Sequence, residues 1–425
     1  MKNPKETIKE LKFCIIDLET TGGNHQYDKI IEIGLVKIKN FKIDKKLSYL
    51  IKPNITIPNF IQKLTSITPK DIEDAPLLEQ VIDKILHFIG DSILVAHNSS
   101  FDIPFLNSEL ERINYPTLTN KTLCTNLMTK YIIPEILNTN LSYMCQILDI
   151  KHGRAHRAID DATATTNLLI KYLHFFMKKN IKKVNHLYYP RKRYEIETFH
   201  ITKENQKLHL LEELSVPVLI SFKDLKGKLL SLVPFLNTKD HIKYVKSLSE
   251  KLNWDLITVK YMKTYLDCIL HYLKTPNLIE DKNISDLNLF LKIKNEENIL
   301  INKDNPSFLI TKHLYPYQFT IYPLCSQYRN FKLLFKYPGQ LKKFDNFINN
   351  YVKKIKTKKN KKIKSEIPSF IRTYLTDQKE KYDVFHFDYH TYLKDDNFQK
   401  RLKDFLSHQR ENDNFLKDQL QINLN

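Results

Sequence analysis

The sequence predicts a mixed α/β domain followed by a basic α/β accessory region, and three observations carry that expectation. Short apolar runs alternate with stretches of helical periodicity over residues 1–178. Five of the seven glycines (Gly22, Gly23, Gly34, Gly90, Gly153) lie in the first 153 residues, so the remainder makes its turns from Asn, Asp, Lys and Pro. A polar, basic stretch over 179–194 separates the two parts and reads as a linker.

Each element of the first part has its own warrant. Lys12 to Leu18 (KFCIIDL) is a short apolar run of the kind that forms a buried strand. Ile30 to Ile38 and Leu47 to Ile51 read as further strands of an antiparallel meander, and Ser92 to Ala96 as a compact one. Helical periodicity marks Pro76 to Phe88, Phe101 to Ile113, Leu141 to Leu148 and Ala158 to Met177. Pro104 suits the first turn of its helix.

Composition excludes several classes. No run approaches the roughly 18 apolar residues of a membrane span, and the charged N-terminus has no apolar core of a secretory signal. A soluble, cytoplasmic protein is expected. The five cysteines (Cys14, Cys124, Cys145, Cys268, Cys325) form no CxxC pair and no zinc spacing, which fits reduced thiols rather than a disulfide framework. A formal charge of +19 over 425 residues suggests a polyanionic partner. Codon bias toward Lys, Ile and Asn yields the same excess, so charge alone does not decide the matter.

Three separated segments offer acids or histidine. Asp17-Leu18-Glu19 closes the first strand, where residues two apart project to one face. Asp17 and Glu19 therefore point together, and adjacent buried carboxylates need a cation to offset their repulsion. In His97-Asn98-Ser99-Ser100-Phe101-Asp102, Asp102 falls near a helix N-terminus, whose dipole favours the ionised acid. In His156-Arg157-Ala158-Ile159-Asp160-Asp161, positions five apart diverge by about 140° on a regular helix. His156 and Asp161 can share one site only if His156 lies in the preceding loop. Singly, each segment has a plainer reading as surface acids or helix caps.

Together the segments IIDLETTG, HNSSFDIPFL and HRAIDDA resemble the three motifs of the DEDDh family of 3′→5′ exonucleases, in order, over roughly residues 10 to 178. The resemblance implies a ribonuclease H-like mixed sheet flanked by helices. It implies Asp17, Glu19, Asp102 and Asp161 as ligands of two Mg²⁺ or Mn²⁺ ions, with Asp17 touching both, and His156 as general base. The family spacing selects Asp161 over Asp160. Leu18, Thr20 and Asn98 are expected to help seat the terminal nucleotide. The implied substrate is the single-stranded 3′ end of DNA, as for epsilon-type proofreading subunits of bacterial DNA polymerase III, with the polymerase catalytic subunit or the sliding clamp as partners. An RNA-trimming exoribonuclease shares the same five residues. A non-catalytic nucleic-acid-binding or polymerase-docking protein is the alternative from another class, against which the intact set of five argues.

The second half carries weaker signals. Val216 to Val245 has the strand, Lys-Gly turn, strand, helix rhythm of a GIY-YIG nuclease, and Asp255 to Ile279 continues it. The signature tripeptides are replaced by Val218-Leu219-Ile220 and Ser231-Leu232-Val233, and no Glu stands between Lys251 and Ile279, so the resemblance implies a degenerate module. The expected organisation is an exonuclease domain at 1–178, the linker at 179–194, an accessory domain at 195–345, and a Lys-rich helical region at 346–425. Within the last, Lys353 to Lys364 is a run of like charge, solvated by default, and Gln419 to Leu424 resembles a sliding-clamp-binding peptide.

Overall fold

A computed structural model describes residues 8–179, 181, 187, 196–273, 305–323, 332–356 and 384–408, apart from 205–207, 213, 215, 237, 239–241 and 263. The linker lies almost wholly outside the described residues, as do positions 274–279, 357–364 and 419–424. By its internal contacts the chain divides into two compact units, with the division between Ile196 and Glu197 in the sequence.

The first unit is a five-stranded mixed sheet flanked by helices, the ribonuclease H-like arrangement. Its strands are β1 (Phe13–Thr20), β2 (Ile30–Lys39), β3 (Lys42–Leu50), β4 (Ile93–Ala96) and β5 (Thr122–Cys124), in spatial order β3-β2-β1-β4-β5. β1 pairs antiparallel with β2 and parallel with β4, so the strand bearing Asp17 and Glu19 is central. β3 begins five residues before the apolar pattern predicts, because Lys42, Lys45 and Lys46 occupy an exposed edge where charge guards against further pairing.

Six helices accompany the sheet among the described residues of this unit: α1 (Asn59–Thr65), α2 (Leu78–Ile89), α3 (Ser99–Arg112), α4 (Thr125–Ile132), α5 (Leu141–Ile147) and α6 (Ala158–Lys178). Cys14, Ile16 and Leu18 point to one face and join Ile82 and Ile85 of α2 and Phe105, Leu106 and Leu110 of α3 in the core. The opposite face of β1 and β2 receives α6. Three elements escape the sequence pattern: α1 is two turns long, β5 has only three residues, and α4 follows it without a break. Helix α3 starts at Ser99, which puts Pro104 in the second turn rather than the first. Burial pushes the Cys14 thiol up to about 12 and that of Cys145 up to about 11.

The second unit holds two antiparallel sheets. β6 (Thr198–Thr202), β7 (Val218–Lys223), β8 (Leu229–Phe235) and β9 (Leu256–Tyr261) lie in the order β6-β9-β7-β8, with α7 (Ile242–Lys251) and α8 (Tyr265–Leu273) between and after the strands. The β7–β8 hairpin turns at Gly227, whose φ of +79° a side chain would oppose. β10 (Ser307–Lys312), β11 (Gln318–Pro323), β12 (Leu333–Lys336) and β13 (Val384–Asp388) form the second sheet, in the order β12-β11-β10-β13. It is covered by α9 (Leu341–Lys356), α10 (Tyr389–Lys394) and α11 (Phe398–Ser407) around a core of Phe308, Phe319, Phe335, Phe344, Phe387 and Phe398. The boundary expected between 345 and 346 thus falls inside α9, and β10 pairs with β13 across it.

Candidate active site

β1 brings Asp17 and Glu19 to the face that receives α6, as the two-residue period requires. A register shift between Glu19 and Thr20 ends regular pairing there. Asp102 enters from the first turn of α3, buried, and accepts a hydrogen bond from the Leu18 backbone N–H at 3.2 Å. That bond ties the second motif to the middle of the first.

The third motif arrives by the predicted loop. His156 sits just before α6 with a φ of +61°, a left-handed conformation that costs a histidine energy and turns the chain sharply into the helix. Its backbone N–H donates to Asp161 Oδ2 at 3.2 Å. Asp160 turns to the loop instead, accepting the Arg154 N–H at 3.0 Å, which separates the roles of the two adjacent acids. Single ligand atoms of Glu19, His156 and Asp161 all lie within 4.8 Å of one another, a separation at which one cation could bind all three.

Electrostatics links the remaining acids to this cluster. Burial, then the charges of Asp102, Asp161, Glu19 and Glu32, push the Asp17 carboxyl well above its ordinary value. Glu19 rises to about 8, first by burial and then by the same neighbouring acids, against a smaller opposing pull from Arg157. Asp102 rises to about 7 by burial, which outweighs its backbone hydrogen bonds. The helix N-terminus was expected to favour its ionised form, but desolvation is the larger effect. Oxygen donors packed against their own repulsion suit a hard divalent cation such as Mg²⁺ or Mn²⁺. The four carboxylates and one imidazole therefore fit the metal ions that the motifs imply.

This crowding has a thermodynamic sign. Carboxylates whose folded values are raised contribute stability below their unfolded values near 4, and lose it as pH rises through about 7 and 8. The metal-free protein is expected to melt several degrees lower at about pH 9 than at about pH 5, with Mg²⁺ or Mn²⁺ restoring the difference at the higher pH. Melting curves with and without metal test this. A metal-free melting temperature independent of pH, together with no metal effect, would contradict a shared cation site.

Three residues outside the motifs, Glu32, Gly34 and His152, hold the third motif in place. Glu32 of β2 stands directly opposite Glu19 and is buried. It forms a two-pronged pair with Arg157, at 2.9 and 3.1 Å, and also accepts the Ala158 N–H at 2.9 Å. Gly34, opposite Asp17, lets α6 approach this closely, since a Cβ there would lie 2.3 Å from the Ala158 carbonyl oxygen. His152 is the other addition, with its Nε2 donating to Asp161 Oδ1 at 2.5 Å. A Glu in a strand and a His outside the motif spacing carry no local signal of either role.

The three residues expected to seat a nucleotide have different surroundings. Leu18 commits its side chain to the core, so only its backbone faces the site. Thr20 Oγ1 donates to the Gly22 carbonyl at 2.6 Å and shapes the turn after β1. Asn98 is exposed at the start of α3 and accepts from Ser100 Oγ at 3.0 Å.

Residues 14–169 match the family model described as "Exonuclease". That match lies within the first unit. Over 182 residues, 43% of its length, the chain is 37% identical to the PolC-type DNA polymerase III of Caldanaerobacter subterraneus subsp. tengcongensis. Over 197 residues, 46% of the chain, it is 34% identical to the 3′-5′ exonuclease DinG of Staphylococcus haemolyticus. The matched parts span only 13% and 22% of those relatives. Among solved structures, exonuclease X in complex with 5′ overhanging duplex DNA aligns over 38% of this chain and 90% of its own, at 29% identity and a TM-score of 0.31. No described helix is long and apolar enough to cross a membrane.

Proposed function

We propose that this protein removes nucleotides from the 3′ ends of DNA by metal-dependent phosphodiester hydrolysis. The carrying observation is the convergence of Glu19, His156 and Asp161 beside the half-buried Asp17 and the buried Asp102. Bound divalent ions would supply charge neutralisation for the scissile phosphate and acidify the attacking water. Asp17, Glu19, Asp102 and Asp161 would hold them. His156, exposed at the rim with its backbone fixed by Asp161, is the group in reach to accept the water's proton.

DNA as substrate, and proofreading beside a replicative polymerase as in epsilon-like subunits, is supported by the similarity to part of PolC-type DNA polymerase III and to part of DinG. The polymerase catalytic subunit or a sliding clamp would be the protein partner in that role. We assign the activity to residues 1–178, with 179–194 as linker. In the second unit, the succession β7, β8, α7, β9, α8 supports descent from a GIY-YIG-like module. Val218-Leu219-Ile220 and Ser231-Leu232-Val233 stand where its signatures would fall, so no cleavage chemistry is assigned there.

Digestion of 5′-labelled single-stranded DNA and RNA of the same sequence, with Mg²⁺, Mn²⁺ or EDTA, tests the proposal. Stepwise shortening of DNA from the 3′ end, lost in EDTA, is the expected result. Preference for RNA would move the protein to the RNA-trimming class, and no digestion of either would make it a binding protein. His156→Ala is expected to lower turnover by at least ~10²-fold with folding intact, as loss of a general base does. Wild-type rates in that variant would remove His156 from the mechanism.

A further inference from the structure

Helix α9 has two chemically opposed faces. Phe344, Ile348, Tyr351, Val352 and Ile355 are buried in the aromatic core of the second unit. The outer face presents Lys342, Lys343, Lys353, Lys354 and Lys356, all exposed, with exposed Asn346 and Asn350 between them. At 100° and 1.5 Å per residue, these seven side chains occupy an arc of about 160° and a length of about 20 Å. The single acid of α9, Asp345, lies off this stripe, half-buried and accepting a hydrogen bond from the Tyr392 hydroxyl at 2.8 Å.

The stripe belongs to a wider asymmetry. Residues 1–178 carry 22 Lys and Arg against 20 Asp and Glu, whereas residues 195–425 carry 39 against 28. The catalytic part is thus nearly neutral, and most of the positive charge resides elsewhere. A merely solvated helix face ordinarily mixes signs, as i to i+4 pairing rewards. This one bears a single sign over four turns, with neutral amide donors in the gaps.

We infer that the lysine face of α9 binds the phosphodiester backbone of single-stranded nucleic acid. Lysines hold phosphate as point charges and gain from counterion release, and Asn346 and Asn350 add donors for phosphate oxygens without contributing charge. An anionic lipid surface is the competing polyanion. An interfacial helix inserts its apolar face among the acyl chains, and here that face is already committed to Phe308, Phe335 and Phe387 of the core. A rigid helix offering only its charged side suits a charged backbone.

The test uses the full chain in EDTA, so it reads binding without cleavage and stands or falls separately from the exonuclease proposal. Fluorescence anisotropy of a labelled oligothymidylate of about 20 nucleotides would be titrated across about 50–300 mM NaCl. For the variant with Lys342, Lys343, Lys353, Lys354 and Lys356 all changed to Gln, affinity at about 100 mM salt is expected to fall at least tenfold. The slope of log K against log salt should flatten by about 2 to 3, at roughly 0.7 per phosphate contact on a single strand. The corresponding Lys→Arg variant should keep both affinity and slope. Both variants should melt like the wild type, because all five side chains are exposed. Unchanged affinity and slope in the Gln variant would overturn the inference. So would a wild-type chain that binds phosphatidylserine vesicles but not the oligonucleotide.

Discussion

Replacing Asp17 with Asn is expected to lower 3′-nucleotide release by at least ~10²-fold while raising the melting temperature of the metal-free protein. Asp17 stands on the central strand, where burial and four neighbouring acids already oppose its charge. An amide of the same shape removes that penalty but cannot supply an anionic oxygen to a cation. Stability and activity should therefore move in opposite directions, which a purely structural Asp17 would not produce. Melting curves without metal, beside initial rates at saturating Mg²⁺ or Mn²⁺, measure both. The metal-induced rise in melting temperature should also shrink in this variant. A variant that loses activity and stability together would mean that Asp17 holds the fold rather than the ions.

The second large effect concerns Arg157. Its guanidinium pairs with Glu32 through two nitrogens, and Glu32 lies directly across the sheet from Glu19. Changing Arg157 to Met leaves a buried carboxylate without its partner and beside a like charge, at an expected cost of about 3 kcal/mol. Adding Glu32→Gln should recover most of that stability, because the loss comes from an uncompensated charge more than from a missing contact. Activity should fall in the single variant, since Arg157 adjoins His156 and Glu32 anchors the first turn of α6 through Ala158. Chemical denaturation of wild type, both singles and the double gives the coupling. Additive losses would show that the pair acts as two independent surface groups.

Much of the site is legible in sequence because its geometry is local. The alternation of a strand places Asp17 and Glu19 on one side. The helical angle forces His156 into a loop ahead of Asp161, and the structure shows that loop with a positive φ. Apolar periodicity finds β1, β2, β4, α2, α3, α5 and α6 to within a few residues. It passes over α1 and β5, which are too short for a period to register, and α4 directly behind β5.

By itself, then, the sequence determined the three motifs, the strand–helix alternation and the faces on which the acids lie. Only the tertiary structure decided their neighbours: that Glu19 meets Glu32 across a ladder, that Arg157 answers it, that His152 reaches Asp161, and that Leu18 belongs to the core. It also reversed the expected tendency of Asp102, whose burial outweighs its place at a helix start. The physical reason is common to all of these. Side-chain direction follows from the local backbone period, whereas pairing register and desolvation depend on segments that become neighbours only when the chain folds.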